Sequence, residues 1–539
     1  MTESEDEILA RGLTLGKVAA EGAVALLSTK LASRAIALVC TIVLIRLIHT
    51  PGNYALLGIA TTVPGLVMIG DLSGVNASLT RYLSEYKAKG NVSGIWSSYW
   101  TAMSVKIFTG VALSLVAFAL ADPIAVLVGK PVVAPFLRVA SPLPLVWTTQ
   151  VMFKSTLLSL DRSRTYAVLQ FLNEVLLSFS PIVAVVLGYG VLGAVIAMVI
   201  GNYLYFIIGM GLCTSAVVRE SKGGSRAFRY FDVLRGLVRF GFALGFSNSI
   251  SSSAGQVVNL IVARFVSLNL YGLYSVATSA SAVVGYVDYP ISTIDFTIFS
   301  RLQGLEDRAL LQKVYRQVVR YDSAFVLPAT LFVLIFAQPL VVLLFGSTYA
   351  SAGILVSLLM ITWFAYATGS SMTSDLVSSQ GYTAIVGVLT IVNSAIGIIV
   401  AAVTLPTVGL QGYIVASAFM FVPAFIVLLR RMNSSLQIHA PFSELKPLFY
   451  ALPLSAAVLL PISLLHLTAP IELILGASAT CITYPVFLAL FRGVNVADTK
   501  HMRAMLSAQP AVAKLMEPIV RLLERIIVAV SGRTRAKDD

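Results

Sequence analysis

The sequence predicts an all-α membrane protein that crosses the bilayer many times. Of its 539 residues, 57% are hydrophobic and only 12% are charged, whereas a soluble domain carries about 25% charged residues. Long apolar runs recur along the chain, and about 20 apolar residues make one transmembrane helix. The runs lack the alternation of barrel strands. Because lipid offers the backbone no hydrogen bonds, such runs must be helical.

About fourteen transmembrane helices follow from the hydropathy along the chain. The connections between them alternate between basic and nearly uncharged. Since basic loops stay in the cytoplasm, we expect a multi-pass protein of the cell membrane with both termini cytoplasmic. The acidic, polar N-terminus contains no apolar signal region, so no cleaved signal peptide is expected. The predicted spans are 23–48, 54–80, 96–120, 132–158, 165–188, 191–217, 238–265, 270–299, 322–345, 353–378, 383–405, 409–430, 445–467 and 470–491.

An internal repeat divides the spans into two similar sets. The stretch "RLIHTPGNYALLGIATT" (46–62) parallels "RFVSLNLYGLYSVATSA" (264–280), and "YGVLGAVIA" (189–197) parallels "VGLQGYIVA" (408–416). Both matches have nearly the same offset, so the two copies run in the same order. Each copy holds six spans and therefore has the same membrane orientation, a design common in transporters.

The repeat and the charges predict the organisation of the whole chain. Two six-helix lobes are joined by a basic linker and followed by two further helices. The C-terminal segment shows apolar residues at helical spacing with cations opposite, as in a helix lying on a membrane surface. The predicted parts are a cytoplasmic N-terminal segment (1–20), an N-lobe (21–217), a basic cytoplasmic linker (218–236), a C-lobe (237–432), helices 13 and 14 (444–491) and an amphipathic cytoplasmic C-terminal segment (498–539).

Polar stripes run along the first two helices of each half. Ionisable residues inside a membrane usually face a bundle interior or a wet cavity, so the stripes predict a central hydrophilic cavity. Lys30 is equally well explained by a side chain that reaches the interface, whereas Arg34 lies one turn deeper. Lys106 and Lys154 belong to no clear stripe and are weaker candidates. The candidate cavity residues are Lys30, Arg34, Asp71, Asn248, Ser252, Asn259, Asp288 and Asp295.

Asp71 is the most unusual of these residues because a carboxylate inside an apolar segment is costly unless something uses it. The repeat offset places Asp71 opposite Asp288. A carboxylate would repel an anionic substrate. We therefore expect Asp71 to orient Arg34, Arg46 or another cation, or to take up a proton.

Acidic residues predict a second role. The C-terminal half carries several intramembrane carboxyls and no inward-facing cation on its first helices, so it could bind a proton or a metal cation that drives transport. The candidate coupling residues are Asp288, Asp295, Asp375 and Glu174.

Enzymatic chemistry is not expected. The chain has no GxxxxGK[ST], HExxH, GxSxG or CxxC motif, and its histidines and cysteines do not cluster. We therefore expect no catalytic residue, no cofactor and no resident metal. The net charge of +13 resides mainly in the connections between spans, which explains it through membrane topology and makes a nucleic-acid partner unnecessary.

Several landmarks resemble the polysaccharide (Wzx-type) flippases of the multidrug/oligosaccharidyl-lipid/polysaccharide (MOP) exporter superfamily. The resemblance covers residues of about 15–430. It rests on "KLASRAIALVCTIVLIRLIHTPGNYALLGIATTVPGLVMIGDLSGVNASLTRYLSEYKAKG" (30–90), "YGLYSVA" (271–277), "LLFGSTYASAGILVSLL" (343–359) and "PTVGLQGYIVASA" (406–418).

The resemblance implies a V-shaped bundle of two six-helix lobes that works by alternating access. It implies a flippase for oligosaccharides linked to polyprenyl or dolichyl phosphate or pyrophosphate, moved across the cytoplasmic membrane for polysaccharide or glycoprotein glycan export. Arg34 and Lys30 would then pair with the phosphate. The implied partners are this lipid-linked substrate and membrane lipids, with glycan-assembly proteins as further candidates, and we expect a monomer.

Two alternatives stay open. A cation-coupled (H⁺ or Na⁺) multidrug or metabolite antiporter of the same superfamily would account for the intramembrane aspartates but not for the N-terminal cations. A non-transporting membrane scaffold of a glycan-assembly complex would leave the intramembrane charges unexplained.

Overall fold

The computed structural model confirms an all-α protein. It describes residues 33–72, 74–221, 230–292, 295–303, 307–465, 467–491 and 493, together with Glu517, Val520, Arg521, Glu524, Arg525 and Ile527. No β-strand occurs within these residues. Lys30, the predicted N-terminal segment and most of the predicted amphipathic C-terminal segment lie outside them.

The chain divides into two compact units, Met1–Gly272 and Leu273–Asp539. The first unit holds α1 (33–48), α2 (Pro51–Ala60), α3 (Thr62–Val67), α4 (Gly74–Ala88), α5 (Val92–Leu127), α6 (Ala134–Ala140), α7 (Leu143–Ser159), α8 (Ser163–Val186), α9 (Gly190–Glu220), α10 (Tyr230–Phe265) and the start of α11 (Leu268–Ser292). The second unit continues with α12 (Asp295–Gln303), α13 (Arg308–Ile335), α14 (Ala337–Phe345), α15 (Ala352–Tyr366), α16 (Ser370–Val377), α17 (Thr383–Ser417), α18 (Val422–Arg431), α19 (Phe442–Ser463) and α20 (Ala469–Leu490).

Nine helical stretches within the described residues are long and apolar enough to cross a membrane, or ten if the bent pair Pro131–Ala140 and Leu143–Ser159 forms one span. The expectation of a multi-pass membrane protein is thus confirmed, but the count of fourteen is not. One cause is that the predicted spans 383–405 and 409–430 fall inside a single stretch, Ser370–Leu436.

The core of the first unit is formed by helices α4, α5, α7 and α9. Leu79, Tyr99 and Phe153 are fully buried in it. Small residues let the helices approach closely. A Cβ added at Gly209 on α9 would lie 2.6 Å from the Phe153 ring. Because interiors are close-packed, that ring occupies the space which the glycine leaves.

Three of the predicted basic connections meet at one end of the first unit. Lys87 Nζ lies 2.9 Å from Asp161 Oδ2 and 3.8 Å from Glu220 Oε1, and donates to the Leu160 carbonyl at 2.8 Å. Arg162 lies 3.9 Å from the same Glu220 carboxylate. The ends of α4, α7 and α9 are therefore held together, while the side of the membrane that they face stays a prediction.

Helix α10 packs against α3, α4 and α5 in the first unit. The internal repeat assigns this helix to the second lobe, and the predicted lobe boundaries stay a prediction. In the second unit α13 packs against α15, α19 and α20. The buried residues Leu331, Phe336, Leu459 and Leu473 form an apolar cluster between them.

Candidate functional site

The second predicted span is interrupted at Asp71. After α3 the chain makes one 3₁₀ turn, Met68–Gly70, and Asp71 then takes extended backbone angles (φ −68°, ψ 129°) before α4 begins at Gly74. The local sequence favours such a break, because glycine and aspartate are poor residues for a helix interior. The break exposes backbone carbonyls that need donors within the bundle.

Lys106 on α5 supplies the donor and pairs with the carboxylate. Its Nζ lies 2.8 Å from Asp71 Oδ1 and donates to the Leu72 carbonyl at 3.0 Å. The lysine side chain is 0% exposed and the aspartate side chain 7% exposed. A buried charge is tolerated only when it is paired and hydrogen-bonded, and this pair meets both conditions. Asp71 thus contacts a cation, as expected, and that cation is Lys106.

A polar cavity of about 310 Å³ adjoins this pair. It is lined by residues of the broken span, α7 and α10. The wall residues are Gly65, Met68, Asp71, Trp147, Ser249, Ser252 and Gln256. Two of them, Asp71 and Ser252, are residues that the sequence predicted to line a cavity.

The other predicted polar residues of the first unit have different surroundings. Arg34 is exposed on α1, and its charge acts on Glu174 of α8. Gln170 donates to Glu174 at 3.4 Å. Asn259 is half-buried and donates to Gln256 at 3.4 Å. Lys30 and the side chain of Asn248 lie outside the described residues, so the cationic stripe as a whole stays a prediction.

In the second unit, four aspartates of α11, α12, α13 and α16 gather in one cluster. The carboxyls of Asp288 and Asp322 are hydrogen-bonding neighbours, and so are those of Asp295 and Asp375. Asp295 and Asp322 are 0% and 4% exposed, and each has one buried carboxyl oxygen without a hydrogen-bond partner. Two carboxyls can hydrogen-bond only if they share a proton, because an ionised carboxylate is an acceptor alone. The cluster can therefore hold protons.

A second cavity, of about 410 Å³, opens beside this cluster. Asp288 and Asp322 line it together with Ser370, Ser374, Thr390 and Asn393, and aromatic residues complete its wall. Asp295 and Asp375 are absent from its lining. The structure thus brings together the three aspartates that the sequence singled out in this half, but only Asp288 among them faces the cavity.

Hydrogen bonds around α13 hold the cluster in place. Ser323 donates to the Ala367 carbonyl at 2.5 Å, where α15 ends. The hydroxyls of Tyr315 and Thr373 are 2.8 Å apart and join α13 to α16. In the connection between α15 and α16, Gly369 takes a left-handed conformation (φ 84°) at the N-cap of α16. Glycine adopts such angles at little cost.

Sequence reasoning missed Asp322 and undervalued Lys106. Hydropathy makes Asp322 the first residue of the predicted span 322–345, yet Asp322 follows Tyr315 and Val319 at helical spacing on the buried side of α13. That spacing was a usable signal. Lys106 belongs to no clear polar stripe along α5, so periodicity could not show which neighbour it contacts. No group of three or more His, Cys, Asp or Glu residues in the described part of the chain could hold a metal ion.

Comparison with known proteins identifies the family. A family model described as "Polysaccharide biosynthesis protein" matches residues 43–353. The chain belongs to this family. The resemblance to the polysaccharide flippases of the MOP superfamily is thereby confirmed, and the family points to a transporter rather than an enzyme.

Solved structures of this superfamily share the fold of this chain. The lipid II flippase MurJ in an inward closed conformation is 14% identical, with a TM-score of 0.67 over 86% of this chain and 97% of its own. An inward-facing multidrug resistance MATE family transporter is 17% identical, with a TM-score of 0.61 over 74% of this chain and 95% of its own. A MOP superfamily transporter from Pyrococcus furiosus is 18% identical, with a TM-score of 0.54 over 77% and 96%. These likenesses show the fold.

A curated relative carries a more specific name. The succinoglycan biosynthesis transport protein ExoT of Rhizobium meliloti (strain 1021) is 23% identical over 325 residues, which are 60% of this chain. The match spans 62% of that relative's length. This family member and the relative therefore share a long core rather than their whole chains.

Proposed function

We propose that this protein is a flippase for lipid-linked oligosaccharides. It moves sugars carried on a polyprenyl or dolichyl phosphate or pyrophosphate across the cytoplasmic membrane by alternating access. The exported glycan would enter a polysaccharide or a glycoprotein.

Membership of the polysaccharide biosynthesis family is the observation that carries this proposal. The relative named as a succinoglycan biosynthesis transport protein and the fold shared with a lipid II flippase support the same class of substrate. The polar groups agree with it. A sugar-phosphate headgroup is hydrophilic and anionic, and it needs hydroxyls, amides and cations to replace water inside an apolar bundle.

Arg34 is the residue proposed to hold the phosphate. It lies on α1 and is exposed, so a ligand can reach its guanidinium. Arginine binds phosphate through two parallel charge-assisted hydrogen bonds. Lys30, four residues earlier in the sequence, is proposed to add a second cation.

The four-aspartate cluster is proposed to couple transport to a cation gradient. Carboxyls that share protons can release and rebind them as the cavity beside Asp288 and Asp322 opens to either side. Alternating access then links proton or cation movement to movement of the headgroup.

The decisive experiment is a flipping assay in proteoliposomes with a fluorescent lipid-linked oligosaccharide, with and without pH and Na⁺ gradients. Replacing Arg34 by Ala should strongly reduce flipping while expression stays intact, because the phosphate loses its bidentate partner. Arg138→Ala is the matched control. Arg138 pairs with Asp122 at 2.6 Å and lies outside the predicted stripes, so its loss should leave flipping unchanged. Wild-type flipping by the Arg34 variant would refute the phosphate assignment, and insensitivity to both gradients would refute coupling.

The acidic cluster also supports a second candidate function, the cation-coupled export of drugs or metabolites. A cavity lined by Asp288 and Asp322 suits a cationic substrate. The same proteoliposomes distinguish the two functions. If a pH gradient drives export of a cationic dye while the lipid-linked oligosaccharide does not move, the antiporter function is favoured.

A further inference from the structure

From the polar cavity beside Asp71 we infer a binding site for one sugar ring of the substrate. Its wall residues combine a tryptophan, a carboxylate, an amide and hydroxyls. A sugar ring has flat faces of C–H groups and a rim of hydroxyls. It therefore matches a wall with one aromatic ring and several hydrogen-bonding groups. The inference rests on the proposed function, whose substrate it makes more specific.

The size of the cavity limits the ligand to one ring. Its volume of about 310 Å³ lies at the lower end of small-molecule pockets, which span about 300–1,000 Å³. At about 30 Å³ per water molecule it has room for about ten waters. One monosaccharide unit fits this space, and the rest of an oligosaccharide must lie outside it.

Trp147 supplies the aromatic wall. Its ring packs against the apolar cluster that contains Leu143 and Val195, and it also borders the cavity. This packing fixes the ring from the core side. An aromatic ring held in this way is already arranged for stacking, so a sugar would lose less conformational entropy on binding.

The Asp71–Lys106 pair favours a sugar over a phosphate as the ligand of this cavity. Lys106 contacts Asp71 at Oδ1, and an ionised carboxylate offers about four lone-pair sites. Asp71 therefore keeps acceptor capacity for sugar hydroxyls. Because the lysine is fully buried and does not line the cavity, an anion entering it would meet a carboxylate. The cavity suits an uncharged sugar, while the phosphate stays with the cations proposed on α1.

Gln256 lines the same cavity as Asp71 and is held by close packing. A Cβ added at Gly65 would lie 2.8 Å from Gln256 Cγ and 3.2 Å from its Nε2. Ser253 Oγ donates to the Gly65 carbonyl at 3.4 Å and keeps α10 against α3. The amide can donate and accept, which suits a ligand whose hydroxyls do both.

The test is glycoside binding by the full-length protein, purified in lauryldimethylamine oxide because maltoside detergents are themselves glycosides. A variant that keeps only Trp147, with the three other tryptophans replaced by Phe, is titrated with the methyl glycosides of glucose, galactose, mannose and N-acetylglucosamine. Inorganic phosphate is the control ligand. At least one glycoside should give a saturable change in Trp147 fluorescence, and phosphate should give none.

Substitutions locate the response. Gln256→Leu in the same background should weaken binding at least tenfold, whereas Arg138→Ala, which only breaks the exposed pair with Asp122, should leave it unchanged. Hydrogen exchange of the wild-type protein over residues 62–72 and 249–260 detects the same event without any substitution. A response to phosphate alone, equal responses with and without Gln256, or no protection and no response with any glycoside would each overturn the site.

The outcome is independent of transport. A protein that binds a glycoside at Trp147 but flips no lipid-linked oligosaccharide would overturn the proposed function and leave the sugar site intact. A protein that flips the substrate but shows no glycoside response would overturn the sugar site alone.

Discussion

Replacing Lys106 by Met should strongly destabilise the protein, because the substitution leaves Asp71 buried without its partner. Methionine has nearly the length of lysine, so the packing changes little while the charge disappears. The aspartate side chain is 7% exposed, and water can replace little of the lost interaction. Removing one partner of a buried ion pair costs about 3–5 kcal/mol.

The substitution also removes the hydrogen bond from Lys106 to the Leu72 carbonyl at the helix break. We add no separate free-energy cost for this bond, because the contributions of neighbouring interactions are not additive. At about 1.4 kcal/mol per factor of ten, the ratio of folded to unfolded protein should fall by at least a hundredfold. The free energy of unfolding, from denaturant titration of the purified protein in detergent, measures the change. Loss of the monodisperse chromatographic peak on heating checks it independently.

A second variant makes the reasoning refutable. Asp71→Asn combined with Lys106→Met removes both charges, so at least half of the lost stability should return. Lys89→Met is the control, since Lys89 pairs with Glu85 at 2.6 Å on the surface and is 65% exposed, and it should behave as wild type. If the double variant is as unstable as Lys106→Met alone, the lysine does not act through Asp71 and the argument fails.

Three further substitutions test other contacts. Gly65→Ala should lower flipping, because the new Cβ would lie 2.8 Å from Gln256 Cγ and push the amide out of position. Gly272→Ala should reduce thermal stability in detergent, because its Cβ would lie 1.8 Å from the Pro51 carbonyl oxygen. A backbone atom cannot relieve this clash by changing rotamer, as a side chain can. Asp322→Asn should abolish the response of flipping to a pH gradient, because the amide cannot exchange a proton.

Matched variants control these three predictions. Gly211→Ala adds a Cβ that meets nothing within 4 Å, so it should be neutral or slightly stabilising through helix propensity. If Gly211→Ala lowers flipping as much as Gly65→Ala, or thermal stability as much as Gly272→Ala, the close contacts at Gly65 and Gly272 do not cause those losses. Asp307→Asn keeps the N-cap of α13, where the side chain accepts from Leu310 N at 2.9 Å, since asparagine caps as well as aspartate. A gradient response that survives in the Asp322 variant, or disappears in the Asp307 variant, would contradict the coupling role.

The fold class could be predicted from sequence because it depends on composition and length alone. A chain so poor in charge has few options other than transmembrane helices. The number of spans depends on more, since breaks are set by tertiary contacts. The break at Asp71 is stabilised by a donor on α5, 35 residues further along the chain, and hydropathy averages over such a break.

The candidate sites were predictable only in part, for a related reason. Periodicity shows which residues share a helix face, but not which neighbour the face meets. Thus the sequence predicted that Asp71 orients a cation or takes up a proton, and it named Arg34 and Arg46 but not Lys106 as the cation. It also gathered Asp288, Asp295 and Asp375 in one half, and it missed Asp322 because that residue lies where a basic segment passes into an apolar one.

The buried lysine also bears on how the protein reaches its membrane. A lysine at the centre of a span costs about 2.5–3.5 kcal/mol to insert, and α5 carries Lys106 within its apolar length. Asp71 precedes it in the chain by 35 residues, so during synthesis the carboxylate emerges first. Lys106 can therefore enter the bilayer towards a partner that is already there. The order of the two charges along the chain therefore assists the insertion of α5 into the membrane. Exchanging the two residues would keep the ion pair, but the lysine would then be synthesised before its partner.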